Sequence, residues 1–178
     1  MRKKRFFRDH EKSSIRGYTL METVIAVGII GVLAATFYPN FQGSIGKREM
    51  ENEIRSIMLT MQKARVEAIR SKLQHRVRFV YQNGYWRYML EQEATAGNWT
   101  AVPAFVDRII PAGCNVTINL PEQAIIYNSL GLVEGYVATQ NNVVLQSNTL
   151  VEDSIEDERT ISIYVGGSTR ISSAQSGG

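Results

Sequence analysis

The feature that most constrains this chain is a long stretch without charge near its N terminus. No residue from Thr23 to Gly46 carries a charge, and most residues up to Tyr38 are apolar. A helix needs about 20 predominantly apolar residues to cross the hydrocarbon core of a bilayer. We therefore expect a transmembrane helix at about residues 19–41, with the carboxylate of Glu22 at its entrance. A charge at membrane depth is costly and usually has a partner, so Glu22 needs an explanation.

The basic charge of the chain is concentrated before this stretch. The net charge is +3, yet the first 17 residues alone hold seven Lys/Arg and two acidic residues. The other 161 residues hold 13 basic and 15 acidic side chains, a balance of −2. Lys and Arg that flank an apolar span favour the cytoplasmic side. We expect residues 1–17 to be cytoplasmic and the C-terminal part to lie on the other side of the membrane.

Side chains that carry common chemistry are scarce. Cys114 is the only cysteine, which excludes an intramolecular disulfide, and we interpret it as a small core residue. His10 lies in the basic segment, so only His75 remains downstream. This composition disfavours Ser-His, Cys-His and histidine-metal sites. We therefore expect no catalytic residue, no metal and no cofactor.

Two simpler readings explain the basic start and the apolar run. A secretory signal peptide has both features, and so does a plain membrane anchor. Neither explains Glu22, because an ordinary signal or anchor needs no acid at the entrance to its apolar segment.

The sequence Gly-Tyr-Thr-Leu-Met-Glu at residues 17–22 resembles the processing site of type IV prepilins and pseudopilins, usually Gly-Phe-Thr-Leu-Ile-Glu. The resemblance implies cleavage after Gly17 by a prepilin peptidase and N-methylation of Tyr18. It also implies that Glu22 meets the terminal amine of a neighbouring subunit during filament assembly. Pro39 falls where pilins carry a helix-kinking proline, a residue without an amide for the helical hydrogen bond.

Beyond residue 46 the chain is polar but keeps a helical period. Apolar residues at spacings of three and four predict an amphipathic helix up to about residue 73. They are Met50, Ile54, Ile57, Met58, Met61, Ala64, Ala68 and Ile69. We expect this stripe to pack against the strands that follow.

From His75 the period changes to two, and Asn83-Gly84 is a typical hairpin turn. With Asn83-Gly84 as a two-residue loop, three cross-strand pairs share one apolar face that covers the helix. The pairs are Val77 with Leu90, Phe79 with Tyr88, and Tyr81 with Trp86.

The other face of this hairpin collects Arg76, Arg78 and Arg87, with Glu91 opposite Arg76. We interpret it as a solvated face with one cross-strand ion pair.

Further strands are predicted at Cys114–Leu120, Ala124–Tyr127, Leu132–Ala138, Val143–Gln146 and Thr160–Val165. Residues 152–158 form an acidic segment, interpreted as a solvated loop, although an ion or a partner there stays open. Placing Ile171 on the face of Ile161 and Ile163 requires a bulge or a longer loop around Gly166-Gly167.

Together these elements predict an α+β, pilin-like fold, with a long N-terminal helix packed on a C-terminal antiparallel β domain. The predicted boundaries are a cleaved leader at 1–17, the helix at 18–73, the β domain at 74–172 and a flexible tail at 173–178. Ala-Arg-Val-Glu-Ala-Ile at 64–69 resembles a segment of GspH/FimT-type minor pseudopilins. Their Gly-Arg-x-Arg segment corresponds to Gly-Ser-Thr-Arg at 167–170, without the first arginine.

The sequence leaves three candidate functions to be tested. The first is a minor pseudopilin or minor pilin of a type II secretion pseudopilus or type IV pilus. Its partners would be other pilins, the prepilin peptidase/N-methyltransferase and the inner membrane. The second is a FimT-like DNA-binding minor pilin, which would use Arg170 together with Arg76, Arg78 and Arg87. The third, a membrane-tethered enzyme, lacks a suitable set of side chains.

Overall fold

The computed structural model describes residues 18–103, 105–147 and 157–174, without the side chains of residues 36–44. The chain divides into two compact units, Met1–Pro39 and Asn40–Gly178. The leader with Gly17, the side chain of Pro39 and most of the acidic segment at 152–158 lie outside the described residues. The predictions about them stay predictions.

One long helix, α1, runs from Leu20 to Ser71. It ends where Lys72 takes a positive φ of 62°. The Lys72 amide donates to the Ala68 carbonyl at 3.1 Å, which satisfies one of the carbonyls left unpaired at a helix end. The predicted end at about residue 73 is therefore close to the observed one.

The strands form two antiparallel sheets. Their bounds are β1 His75–Gln82, β2 Tyr85–Thr95, β3 Asn98–Ala101, β4 Arg108–Ile109, β5 Cys114–Asn119, β6 Ala124–Tyr127, β7 Val133–Glu134, β8 Asn142–Ser147, β9 Glu158–Ile163 and β10 Thr169–Ala174. The first sheet has the order β3-β2-β1-β6-β7, with β4 also paired to β2. The second sheet has the order β10-β9-β8-β5. A short 3₁₀ turn, Pro121–Gln123, precedes β6.

The predicted hairpin register is confirmed. Val77 pairs with Leu90, Phe79 with Tyr88 and Tyr81 with Trp86. The first two pairs are buried, whereas Tyr81 is 61% exposed and Trp86 is half-buried near the turn. The apolar face therefore enters the core through its first two pairs, and Trp86 packs against that core.

One core joins the helix to both sheets. On α1, all the predicted stripe residues are buried except Met58, which is half-buried, and Ile69, which is exposed. The first sheet contributes Val77, Phe79, Tyr88, Leu90, Ile125 and Tyr127, and the second contributes Val143, Leu145, Ile161 and Ile163. The amphipathic period of the helix thus marks the surface that both sheets cover.

The strand predictions after the hairpin are correct in part. The prediction for Ala124–Tyr127 is confirmed, but the predicted strand at Leu132–Ala138 is wrong beyond Glu134. Gly135, at a φ of 61°, turns the chain there. Residues 164–168 form a longer loop that sets Ile171 opposite Ile161, one of the two solutions expected. β10 continues to Ala174, so the predicted tail at 173–178 begins too early.

The expectation of a solvated arginine face is wrong for Arg76. Arg76 pairs with Glu91 as predicted, but the two side chains are only 15% and 12% exposed. The guanidinium also lies 4.3 Å from the ring centroid of Trp99 on β3. Because β3 was not predicted, its aromatic cover over the ion pair was missed.

Candidate functional site

The first turn of α1 is set by Thr19. The hydroxyl of Thr19 accepts a hydrogen bond from the amide of Glu22 at 3.2 Å, and the amide of Thr23 donates to the Thr19 carbonyl at 3.1 Å. Thr-x-x-Glu is the spacing of a capping box, in which the N-terminal hydroxyl satisfies an unpaired helical amide. The exposed carboxylate of Glu22 stands in this first turn, where the helix dipole favours negative charge.

Apolar side chains after this turn are exposed all around the helix. Every described residue from Tyr18 to Ala35 is exposed. The large ones, each at least half exposed, are Tyr18, Leu20, Met21, Val24, Ile25, Val27, Ile29, Ile30, Val32 and Leu33. An apolar surface this extensive is typical of a segment that contacts protein or lipid.

The membrane prediction for this segment is not confirmed. Within the described parts of the chain, no helix is both long and apolar enough to cross a membrane.

A second group of polar side chains lies between α1 and the first sheet. The hydroxyls of Ser56 and Tyr88 are 2.9 Å apart, and Arg108 donates to Ser56 Oγ at 3.0 Å. Glu53 Oε1 is buried without a hydrogen-bond partner among the described residues. Burial raises the pKa of Glu53, against the lowering influence of Tyr88 and Arg108. Burial also raises the pKa of Tyr88 to about 12, so that the phenol stays protonated.

Cys114 and His75 are two further groups with potential chemistry in the described part of the chain. Burial, followed by the charges of Glu53 and Glu49, raises the pKa of the Cys114 thiol to about 11, the opposite of an activated nucleophile. His75 is buried, with Nδ1 3.2 Å from the Leu73 carbonyl. Among the residues that the structure describes, no group of three or more His, Cys, Asp or Glu could hold a metal ion.

The arginines considered for DNA binding are distributed over both sheets. Arg170 is exposed on β10 of the second sheet, whereas Arg76, Arg78 and Arg87 lie on β1 and β2 of the first. Arg76 is held by Glu91 and Trp99, and Arg78 is exposed. Arg87 is half-buried, with Nε lacking a partner among the described residues.

Sequence reasoning identified Tyr18 and Glu22 as site residues but not the Glu53–Ser56–Tyr88–Arg108 cluster. Its members come from α1, β2 and β4, and β4 has only two residues. No local spacing links them. Glu53 sits between Met50 and Ile54 of the buried stripe, and that position was the one available signal.

Comparison with known proteins gives a match in structure but none in sequence. No protein-family model matches the sequence, and no curated protein matches it. Among solved structures, the chain is similar to the minor pseudopilin EpsH from the type 2 secretion system of Vibrio cholerae. The TM-score is 0.54 at 16% sequence identity, and the match covers 70% of this chain and 97% of that one.

The fold is pilin-like. At this identity the similarity shows the fold alone, and the predicted GspH/FimT relationship stays a prediction. The α+β architecture, with a helix packed on antiparallel strands, agrees with the expectation from sequence.

Proposed function

We propose that this protein is a minor pseudopilin or minor pilin, a structural subunit that enters a filament through its N-terminal helix. The observation that carries the proposal is the exposed apolar segment from Tyr18 to Ala35, which begins with a capped first turn containing Glu22. Pilin-like architecture of the rest of the chain supports the same role. The similar solved structure belongs to a type 2 secretion system, and we propose that assembly or a type IV pilus as the setting.

The N-terminal helix would have two environments in this role. Before assembly, residues 19–41 would span the inner membrane, with the leader in the cytoplasm and the β domain in the periplasm. In the filament, the same apolar surface would contact helices of neighbouring pilins. Glu22 would then meet the terminal amine of another subunit, exposed by cleavage after Gly17. An opposite charge makes a carboxylate tolerable in such surroundings.

The processing step provides the test. The full-length protein is expressed with a prepilin peptidase and, separately, with an inactive form of the enzyme, and the intact mass of each product is measured. The active enzyme should remove residues 1–17 and add one methyl group at Tyr18. Gly17→Ala should keep the full mass, because the residue before the cut is changed. Full mass for the wild type with the active enzyme would contradict the proposal.

A further inference from the structure

The outer face of α1 carries a second stripe, opposite the buried one. At about 100° per residue, eight side chains between residues 45 and 70 lie within about 40° of Leu59 on a helical projection. We call them the outer stripe: Ile45, Arg48, Asn52, Arg55, Leu59, Lys63, Val66 and Arg70. All are exposed, including 59% of both Leu59 and Val66. The outer stripe is therefore a mixed apolar and basic surface.

Acidic residues of this part of the helix lie away from the outer stripe. Glu51 accepts a hydrogen bond from the Arg159 guanidinium at 3.3 Å, and Glu53 is half-buried near Tyr88. Glu49 and Glu67 lie about 80° from Leu59 on the projection. Of these, Glu67 is 3.8 Å from Arg70, whose side chain is still 78% exposed. The outer stripe thus presents four cations and no carboxylate.

A groove runs beside the middle of the outer stripe. It has a volume of about 580 Å³, and Leu59 and Lys63 line it on the helix side. Phe105 and Val106 line it on the other side, with Lys63 Nζ 5.7 Å from the Phe105 ring centroid. Val106 is 82% exposed. Apolar side chains of a partner could therefore contact the outer stripe and also enter the adjacent groove.

The spacing of the outer stripe matches a helix as the occupant. Its members follow one another at intervals of three or four residues, the pattern of a helix–helix seam. From Ile45 to Arg70 the seam is about 38 Å long at 1.5 Å per residue. A bilayer surface fits less well, because an interfacial helix has a broad apolar face and this one has three well-separated apolar residues.

The positive charge of the outer stripe determines which kind of helix can bind there. A second copy of this chain would bring four more cations against the first four, and like charges that face each other across an interface oppose association. A helix with carboxylates at matching positions would pair with Arg48, Arg55, Lys63 and Arg70. We propose that the outer stripe docks an acidic amphipathic helix of a different protein. The identification of this partner as a neighbouring filament subunit of a different kind rests on the proposed function.

A pair of designed peptides tests this docking. One is a four-heptad helix with Leu at each a position and Glu at each d and e position, and its match has Lys in place of Glu. Binding of each labelled peptide to the full-length protein in neutral detergent is followed by fluorescence anisotropy at low and high salt. The acidic peptide should bind more tightly than the basic one, and its affinity should fall with salt because exposed charges are screened.

Matched charge reversals locate the binding surface. Arg55→Glu/Lys63→Glu should weaken binding of the acidic peptide by about tenfold, since exposed ion pairs contribute modestly. The same variant should bind the basic peptide better than wild type does, which a merely unfolded protein would not do. The control Arg78→Glu/Arg170→Glu changes the net charge equally at exposed positions of the two sheets and should leave binding unchanged.

Three results of the peptide measurements would overturn the docking surface. They are equal binding of the two peptides to wild type, equal effects of the two double variants, or failure of the variant to gain affinity for the basic peptide. A lipid-binding surface would give a different result: the protein would co-sediment with phosphatidylglycerol vesicles through the outer stripe and would not discriminate between the two peptides. That result would also overturn the proposed docking of a helix. Peptide binding is measured on the isolated protein, so its failure is distinguishable from failure of processing or filament entry.

Discussion

Arg65 on α1 donates a hydrogen bond from Nε to the carbonyl oxygen of Gly131 at 3.0 Å. Gly131 belongs to the turn between β6 and β7 of the first sheet, and it lies against Gly167, in the loop before β10 of the second sheet. The helix and one loop from each sheet therefore meet at one point. The two segments that resemble GspH/FimT proteins, residues 64–69 and 167–170, come together here through Arg65 and Gly167.

Gly167→Ala should be strongly destabilising. A β carbon at Gly167 would lie 2.2 Å from the Gly131 oxygen, and its φ of 79° is already strained for alanine. We expect a loss of about 3 kcal/mol in the free energy of unfolding, measured by urea denaturation. Gly84→Ala is the matched control, with a φ of 83° but open space around the added carbon, and should lose only about 1 kcal/mol. Equal losses for the two variants would show that the close contact is unimportant.

Local sequence signals predicted the parts of the fold that depend on neighbours in the chain. The register around Asn83-Gly84 followed from turn chemistry and alternation, and the buried stripe followed from helical period. The bounds of β10 escaped prediction because Ile171 is its only large apolar residue. The sequence also did not show which strand belongs to which sheet. Pairings such as β1 with β6 join residues far apart in the chain.

The candidate functional residues show the same difference between local and long-range contacts. The capping contact of Thr19 with Glu22 was not predicted, although a spacing of three residues is that of a capping box. The Arg76 environment could not be predicted, because Trp99 reaches it from a strand without clear alternation.

Loss of the Arg76–Glu91 pair should be costly. Both side chains are largely shielded from water, and Arg76 also stacks on Trp99. Arg76→Ala would leave the Glu91 carboxylate shielded and unpaired, and we expect a loss of about 2–3 kcal/mol in the free energy of unfolding. Arg78→Ala, at an exposed position on the same strand, should change it by less than about 0.5 kcal/mol. Chemical denaturation of both variants provides the measurement. Similar values for the two would mean that shielding adds nothing to the Arg76 pair.

Glu53 should make the protein less stable as pH rises. Burial raises its folded-state pKa above the ordinary value of 4.5, so the folded state binds the proton more tightly than the unfolded state. The stability contributed by protonation is therefore fully present below about pH 4.5 and is lost as pH rises through the folded pKa. Glu53→Gln, which stays neutral, should gain stability relative to wild type between pH 4 and pH 8.

Urea denaturation across that pH range checks the Glu53 prediction. Glu49→Gln, the same substitution at an exposed position of the same helix, provides the control. A constant difference between Glu53→Gln and wild type would contradict the argument from burial.

Cys114 should react slowly with alkylating reagents in the folded protein. The reactive species is the thiolate, and burial together with nearby carboxylates raises the thiol pKa from 9.0 to about 11. At pH 8 this shift lowers the thiolate population by roughly 100-fold. The rate of iodoacetamide labelling, compared between the native protein and the same protein in guanidinium chloride, tests it. Native labelling within a few fold of the unfolded rate would indicate an accessible, unperturbed thiol.

We propose that the N-terminal helix carries this protein into a filament through Glu22. The most direct measurement is the amount of wild-type and Glu22→Ala protein in sheared filaments from cells that produce the prepilin peptidase and the other subunits. Wild type should be present, whereas Glu22→Ala should be cleaved normally but largely missing from the filaments, because its helix lacks the carboxylate that meets a neighbour's terminal amine. Equal amounts of the two proteins in the filaments, or absence of wild type from them, would contradict the claim.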